Sequence, residues 1–226
     1  MTIHLALSGG LDSTALLART LSVEENQTIK TYSFNYGQRH AKELEAAAKI
    51  AAFYRVPHSI IDLPSLASPS LTGSVEIPHG HYAEETMRLT VVQGRNLLFA
   101  SMLISAASEG DQVLLGVHSG DHAIYPDCRP SFIDPLAEAV AAAYSIDLLA
   151  PWLYLTKAEI ASLGASCGAP FDLSWSCYEG GAIHCGRCGT CVERAEAFSD
   201  AGIADPTQYA DPNFWRSAVA DFNARS

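Results

Sequence analysis

The sequence predicts an α/β fold, a doubly wound and mostly parallel sheet that carries a cysteine-rich metal-binding segment towards its C-terminus. Three observations predict it. Short apolar runs alternate with stretches of helical periodicity over most of the chain, the pattern of a parallel sheet covered by helices on both faces. A serine-glycine-glycine turn, Ser8 to Gly10, joins the first apolar run directly to the first helical pattern. Four of the cysteines crowd between positions 177 and 191.

Taken in order, Ile3 to Leu7 reads as a buried strand, and Leu16, Leu17 and Leu21 mark one face of the helix after it. Ile29 to Phe34 reads as a second strand. The next helix places Leu44, Ala47, Ala48, Ala51 and Tyr54 on one face, and Pro57 marks its exit towards a third strand, His58 to Asp62. Residues 63 to 94 hold much of the Pro, Gly, Ser and His, so they read as a long loop with some strand around Leu89 to Val92, of the kind that forms lids or substrate-binding elements. A helix over Asn96 to Glu109, a strand over Gln112 to Val117, a polar loop over Ser119 to Pro130 and a helix over Asp134 to Tyr144 continue the alternation, and the core ends near Leu155. Thr156 and Glu159 have capping-box spacing at the head of a helix from Lys157 to about Ser166. A helix near Val192 to Ala201 follows the cysteines. In the tail, Asp211 and Pro212 read as the N-cap and N1 of a last short helix, whose Phe214, Trp215, Val219 and Phe222 need a groove or a second subunit. A homodimer through this tail is the corresponding expectation.

The 226 residues, 48% of them hydrophobic, suffice for one core, which gives one domain over 1–206 and a tail over 207–226. A net charge of -11 argues against tracking a nucleic-acid backbone, which relies on many Lys and Arg contacts. The first residues lack the basic and long apolar regions of a signal peptide, and no stretch approaches 18 uninterrupted apolar residues. A cytoplasmic protein with no membrane partner is therefore expected, and in that reducing setting six cysteines read as thiols, metal ligands or catalytic groups before disulfides.

The segment Leu7-Ser8-Gly9-Gly10-Leu11-Asp12-Ser13-Thr14 is the sharpest motif. Paired glycines let N–H groups converge on an anion, the helix N-terminus adds partial positive charge, and Ser8, Ser13 and Thr14 offer hydroxyls, a combination suited to pyrophosphate. It is neither a Walker loop, which needs a Lys, nor GxGxxG. An ordinary strand-to-helix turn would use Gly and a capping Ser or Asp in the same way, and only the length of the match weighs against it. Cys177, Cys185, Cys188 and Cys191 include two CxxC spacings, with Gly186 and Gly189 permitting a tight knuckle. Zn²⁺ is preferred over an iron–sulfur cluster because Ala195 stands where the ferredoxin-type run wants a further Cys, and four thiolates make a closed structural site within segment 175–195. His184 is read as a solvated side chain, and Cys128 and Cys167 as buried, unreactive thiols. Lys157 opposes the dipole of its own helix, which an anion contact would explain, though a solvated lysine is the simpler reading.

The loop resembles the SGGxDS pyrophosphatase loop. Together with Phe34-Asn-Tyr-Gly-Gln-Arg-His40, Gly94-Arg95-Asn96, Tyr125-Pro-Asp-Cys-Arg-Pro-Ser-Phe-Ile133, Thr156-Lys-Ala-Glu-Ile160, Trp175-Ser-Cys-Tyr178 and CGRCGTC, it makes residues 3 to 206 similar to the 7-cyano-7-deazaguanine synthase family. The resemblance implies a Rossmann-like fold of the adenine nucleotide alpha hydrolase type. It implies a ligase in which ATP adenylates the carboxylate of 7-carboxy-7-deazaguanine, ammonia gives an amide, and a second activation lets the amide oxygen leave as the nitrile forms. The products would be AMP and pyrophosphate, or ADP and phosphate in one stage.

On the same basis Leu7 to Thr14 would bind ATP, Asp12 would help hold Mg²⁺, and Asp12, Ser13 and Arg95 would be catalytic. Gln38, Arg39, Arg95, Tyr125, Asp127 and Arg129 would surround the deazapurine, Asp127 gripping its amine, with a surface ion pair between Asp127 and Arg129 as the plain alternative. His40 would move protons or cap the following helix. Gln93 and the loop Gly120 to Ile124 depart from the family's commoner form. Rival readings are an RNA-modifying enzyme with the same loop, a relative that passes the adenylate to another acceptor, and a nucleotide sensor.

Overall fold

The computed structural model describes residues 1–24, 26–39 and 42–225, so His40 lies outside the described residues. Five strands form one sheet: β1 (Thr2–Ala6), β2 (Thr28–Asn35), β3 (His58–Asp62), β4 (Gln112–Leu114) and β5 (Asp147–Leu149). Their order is β3-β2-β1-β4-β5 and every pairing is parallel, with Leu5 opposite Thr31 on one side and Leu114 on the other. The connecting helices are α1 (Leu11–Val23), α2 (Lys42–Tyr54), α3 (Arg95–Ala106) and α4 (Pro130–Tyr144), followed by α5 (Lys157–Ser166), α6 (Gly189–Asp200) and α7 (Phe214–Asn223).

Strand alternation divides the core in two. Ile3, Leu5, Leu7 and Leu114 face a cluster with Leu16 and Leu17 of α1, Ile50 of α2 and Ile160 of α5. Val113, Leu115 and Leu148 face the opposite cluster with Ala100 and Leu103 of α3 and Val140 of α4. Successive side chains on a strand point to opposite faces, so an apolar run without polar alternation is what a sheet covered on both sides requires. The doubly wound expectation is met.

Several local expectations are corrected. No strand forms around Leu89 to Val92; Glu85–Thr90 is a 3₁₀ turn, and Gly94 at φ +70° leads into α3. Glu85–Ala106 as a whole is long and apolar enough to resemble a membrane span by length and composition alone, but it is broken between Thr90 and Arg95 and carries the charge of Arg95. On α2, Ile50 rather than Ala48 is buried. α4 begins at Pro130, four residues before Asp134 and with Pro tolerated at N1, and Leu149 closes a fifth strand that its three residues were too short to announce. The Thr156–Glu159 capping box forms as expected. Asp211 Oδ1 accepts from the Asn213 and Phe214 N–H groups at the head of α7, but the N-cap is Asn213, so Asp211 and Pro212 both precede the helix instead of opening it. The tail finds its groove within its own chain: Phe222 stacks on His81 with ring centroids 3.9 Å apart, and Arg225 pairs with Glu84. Burial of the tail therefore does not call for a second subunit.

Candidate active site

Strand order reverses between β1 and β4, so the loops leaving their carboxyl ends part and leave a crevice, the standard ligand position in such sheets. A cavity occupies it, lined by Ser8, Asp12 and Ser13 after β1, by Gly116, Gly120 and Asp121 after β4, and by residues of α3, α5 and α6. Gly9, at φ +84°, backs onto α2, where a Cβ would stand 2.3 Å from the Glu43 carbonyl, so only glycine closes this turn. The Ser8 and Ser13 hydroxyls are 3.0 Å apart, and Trp175 N–H donates to the Gly9 carbonyl at 2.8 Å, pinning the loop from the far side. Ser8, Gly10 and Leu11 line the cavity, at the head of the 13-residue α1 with its partial positive charge. Thr14 does not; its hydroxyl donates to the Gly10 carbonyl at 2.6 Å and is fully buried.

Below the loop lies a cluster of charges from four separate segments. Lys157 Nζ is 2.6 Å from Glu193 Oε2 and 3.2 Å from Asp12 Oδ2. His118 Nε2 stands 3.5 Å from Asp121 and 3.7 Å from Asp12. Burial alone would lower the Lys157 pKa, but the charges of Asp12, Glu193 and Asp121 outweigh it and push the ammonium well above its usual range. Burial likewise acts to raise Asp12, and Lys157 and His118 overcome it, so this carboxyl is held below its usual range. Glu193 goes the other way, since burial outweighs the help of Lys157 and His118. Lys157 is thus a paired cation with 13% of its side chain exposed, and not the solvated lysine expected. Asp12 Oδ1 is buried without a hydrogen-bond donor. A hard, unsatisfied carboxylate oxygen beside a glycine-serine turn at a helix N-terminus suits a divalent cation such as Mg²⁺.

The opposite wall is aromatic and holds Arg95 among Tyr36, Tyr125 and Tyr178, with Phe34 stacked on Phe99 at 4.1 Å. Glu43 also faces the cavity; burial raises its carboxyl, Arg95 lowers it, and Gln38 Nε2 donates to it at 2.9 Å. Tyr125 hydroxyl meets Thr90 Oγ1 at 2.7 Å. Tyr82 and Met87, from the long loop, complete the lining.

Of the residues expected around the deazapurine, Arg95 and Tyr125 line the cavity, while the others have different partners. Asp127 Oδ2 accepts from Asn96 N–H at 2.9 Å and so caps α3. Arg129 donates to the His122 carbonyl at 2.8 Å and makes no ion pair with Asp127. Arg39 donates to the Val75 and Ser70 carbonyls, bracing the long loop, and Gln38 stands behind Glu43. Cys128 is buried, with its thiol pushed up by burial, as expected for an unreactive group, whereas Cys167 is half-exposed.

The sulfurs of Cys177, Cys185, Cys188 and Cys191 lie within 4.8 Å of one another. Tetrahedral Zn–S bonds of about 2.3 Å want sulfurs about 3.8 Å apart, and Cys185 and Cys191 stand at 3.9 Å. The N–H groups of Arg187 and Cys188 both point at the Cys185 sulfur at 3.3 Å, the turn a thiolate knuckle needs. The donor set fits zinc. His184 is not solvated; it is buried against Trp175, accepts from Ser176 N–H at 3.1 Å, and burial pushes its pKa down to about 4.

Sequence reasoning missed His118 and Glu193 altogether. Lys157 carried a signal, its misfit with the helix dipole, that only the fold resolves.

The family model for the queuosine biosynthesis protein QueC matches residues 2–202. The chain belongs to the QueC family. It is 51% identical to a 7-cyano-7-deazaguanine synthase of Allorhizobium ampelinum over 100% of this chain and 99% of that one. A namesake from Rhizobium etli is 52% identical over 96% and 95%, and 7-cyano-7-deazaguanine synthase 1 of Mesorhizobium japonicum is 49% identical over 94% and 95%. The QueC match spans the loop, the charge cluster and the four cysteines together.

Proposed function

We propose that this chain makes 7-cyano-7-deazaguanine from 7-carboxy-7-deazaguanine and ammonia at the expense of ATP. The observation that carries the reading is the pairing of a glycine-serine loop at a helix N-terminus with the Asp12–Lys157–Glu193 cluster in one cavity of a QueC-family chain. Such a cavity can take the nucleotide's phosphates at the loop and a flat heterocycle against the aromatic wall.

A carboxylate oxygen is a poor leaving group. Attack of that oxygen on the α-phosphorus releases pyrophosphate and leaves an acyl adenylate, from which ammonia displaces AMP with loss of a proton. In the second stage the amide oxygen is adenylated, and departure of AMP with loss of the remaining N–H protons leaves the nitrile. Ser8, Ser13 and the α1 N-terminus hold phosphate, Lys157 offsets its charge, and Asp12 would hold Mg²⁺. Bound Mg²⁺ would supply charge neutralisation at the polyphosphate. Arg95 meets anionic groups of nucleotide or substrate in the same cavity. The four cysteines would hold zinc as a closed structural staple, a use of thiols that suits a cytoplasmic enzyme.

The test is incubation of the purified protein with 7-carboxy-7-deazaguanine, ATP, Mg²⁺ and ammonium, following nucleotide products and the mass of the deazapurine. AMP, pyrophosphate and the nitrile are expected. AMP with a trapped adenylate or amide and no nitrile would assign the chain to a relative with another acceptor, and no ATP cleavage would sink the reading.

A further inference from the structure

The zinc knuckle and the charge cluster are joined by α6. Cys191 sits in its first turn and Glu193 two residues further on, so the segment that the four sulfurs fold is also the one that delivers a carboxylate into the cavity. That carboxylate makes the shortest contact of the cluster, 2.6 Å to Lys157 Nζ, with only 8% of its side chain exposed. Glu193 also approaches the loop after β4, where a Cβ on Gly120 would stand 2.9 Å from Glu193 Oε1, so its position is fixed from two sides.

Stability does not explain this arrangement. A buried ion pair roughly breaks even against an apolar pair of the same volume, and here two carboxylates, Asp12 and Glu193, converge on the Lys157 ammonium while Asp121 stands 3.5 Å from His118. The ammonium has three N–H donors, and Asp12 and Glu193 occupy two of them, leaving one for a ligand in the cavity that Lys157 lines. A lysine side chain left to itself samples many rotamers; two carboxylate partners at fixed places hold this one beside the phosphate loop.

We propose that Glu193 is a positioning residue for nucleotide binding, acting through Lys157, which it fixes beside Asp12 to meet the polyphosphate of ATP. The inference rests on the reading of the cavity as an ATP site. It links the metal knuckle to the reaction through one side chain: the zinc segment holds Glu193, Glu193 holds Lys157, and Lys157 meets the phosphates.

The experiment uses the zinc-loaded full chain as wild type, Glu193→Gln, Glu193→Asp, Lys157→Met and the Glu193→Gln/Lys157→Met double variant. Mg-ATP affinity is measured by equilibrium dialysis, the two KM values by steady-state kinetics, and zinc content and Tm serve as the check on folding. Glu193→Gln is expected to weaken Mg-ATP binding about tenfold, with the deazapurine KM within about twofold of wild type, a loss in the range of coupled neighbours. The double variant should bind ATP no more weakly than Lys157→Met alone. Glu193→Asp, which keeps the charge, should recover part of the affinity, and it carries the test if the Gln variant loses zinc. Unchanged ATP affinity, additive losses in the double variant, or a rise confined to the deazapurine KM would each overturn the proposal. A wild-type chain that binds Mg-ATP but forms no nitrile would overturn the proposed function and leave this inference standing, whereas one that does not bind Mg-ATP would overturn both.

Discussion

Trp152 donates its indole N–H to the backbone carbonyl of Asp12 at 3.1 Å, across a separation of 140 residues. The bond joins the chain leaving β5 to the first turn of α1, and the Trp152 side chain that makes it is 3% exposed. Trp152→Phe is expected to cost about 1–3 kcal/mol, read as a lowered denaturant midpoint with unchanged slope, and to weaken Mg-ATP binding because Asp12 loses its rear support.

Gly9→Ala tests the turn itself. Its Cβ would meet the Glu43 carbonyl at 2.3 Å and the Ala47 nitrogen at 2.7 Å, both backbone atoms that cannot swing away, at φ +84°. A loss of at least about 2 kcal/mol and of nucleotide binding is expected by thermal melts and dialysis. Near-normal values for both would mean that α2 yields at little cost.

Arg194 is fully buried and donates to Thr207 Oγ1, Ser174 Oγ, Ser176 Oγ and the Phe171 carbonyl. Arg194→Met keeps the volume but removes a donor from the three hydroxyls and from the Phe171 carbonyl, which retains the Ser174 hydroxyl, for an expected loss of about 2–3 kcal/mol. Arg194→Lys should recover part of it, since one ammonium cannot span the fork's reach. Urea denaturation checks both.

His4 gives a pH signature. Burial lowers its pKa despite the nearby Asp111, and its ring lies 3.0 Å from the Tyr32 hydroxyl. The unfolded chain therefore takes up this proton first as pH falls. The stability of wild type relative to His4→Gln should be constant above about pH 7 and decline below about pH 6.5, the ordinary histidine value. A difference that grows with acid instead would refute the assignment.

Cys188→Ser removes one of four clustered sulfurs, three of them, Cys177, Cys188 and Cys191, buried. Metal content should fall to background and limited proteolysis should open within residues 175–195, because metal-binding energy is folding energy for such a segment. Full zinc retention would show that three thiols and another ligand suffice.

Legibility followed the range of the interaction. The loop Ser8 to Ser13 and the four cysteines were legible because each function rests on backbone conformation and spacing over a few residues, which glycine positions and CxxC intervals record directly. The Thr156–Glu159 capping box was legible for the same reason. β5 was not, since three residues hold no periodicity. Asp127 shows a different case: the loop carboxylate expected beside the deazapurine accepts from the N-terminus of α3, a contact across 31 residues that its own segment does not announce.

By itself, then, the sequence determined the alternation of strands and helices, the glycine-serine turn at the head of α1, the sulfur knuckle and the resemblance to the 7-cyano-7-deazaguanine synthase family. Only the tertiary structure decided that Lys157 is a partner of Asp12 and Glu193, that His118 joins them, and that Glu43 faces the cavity while Asp127 does not. The reason is physical. A buried charge is defined by the partners that neutralise it, and those partners come together only where the sheet reverses its strand order between β1 and β4.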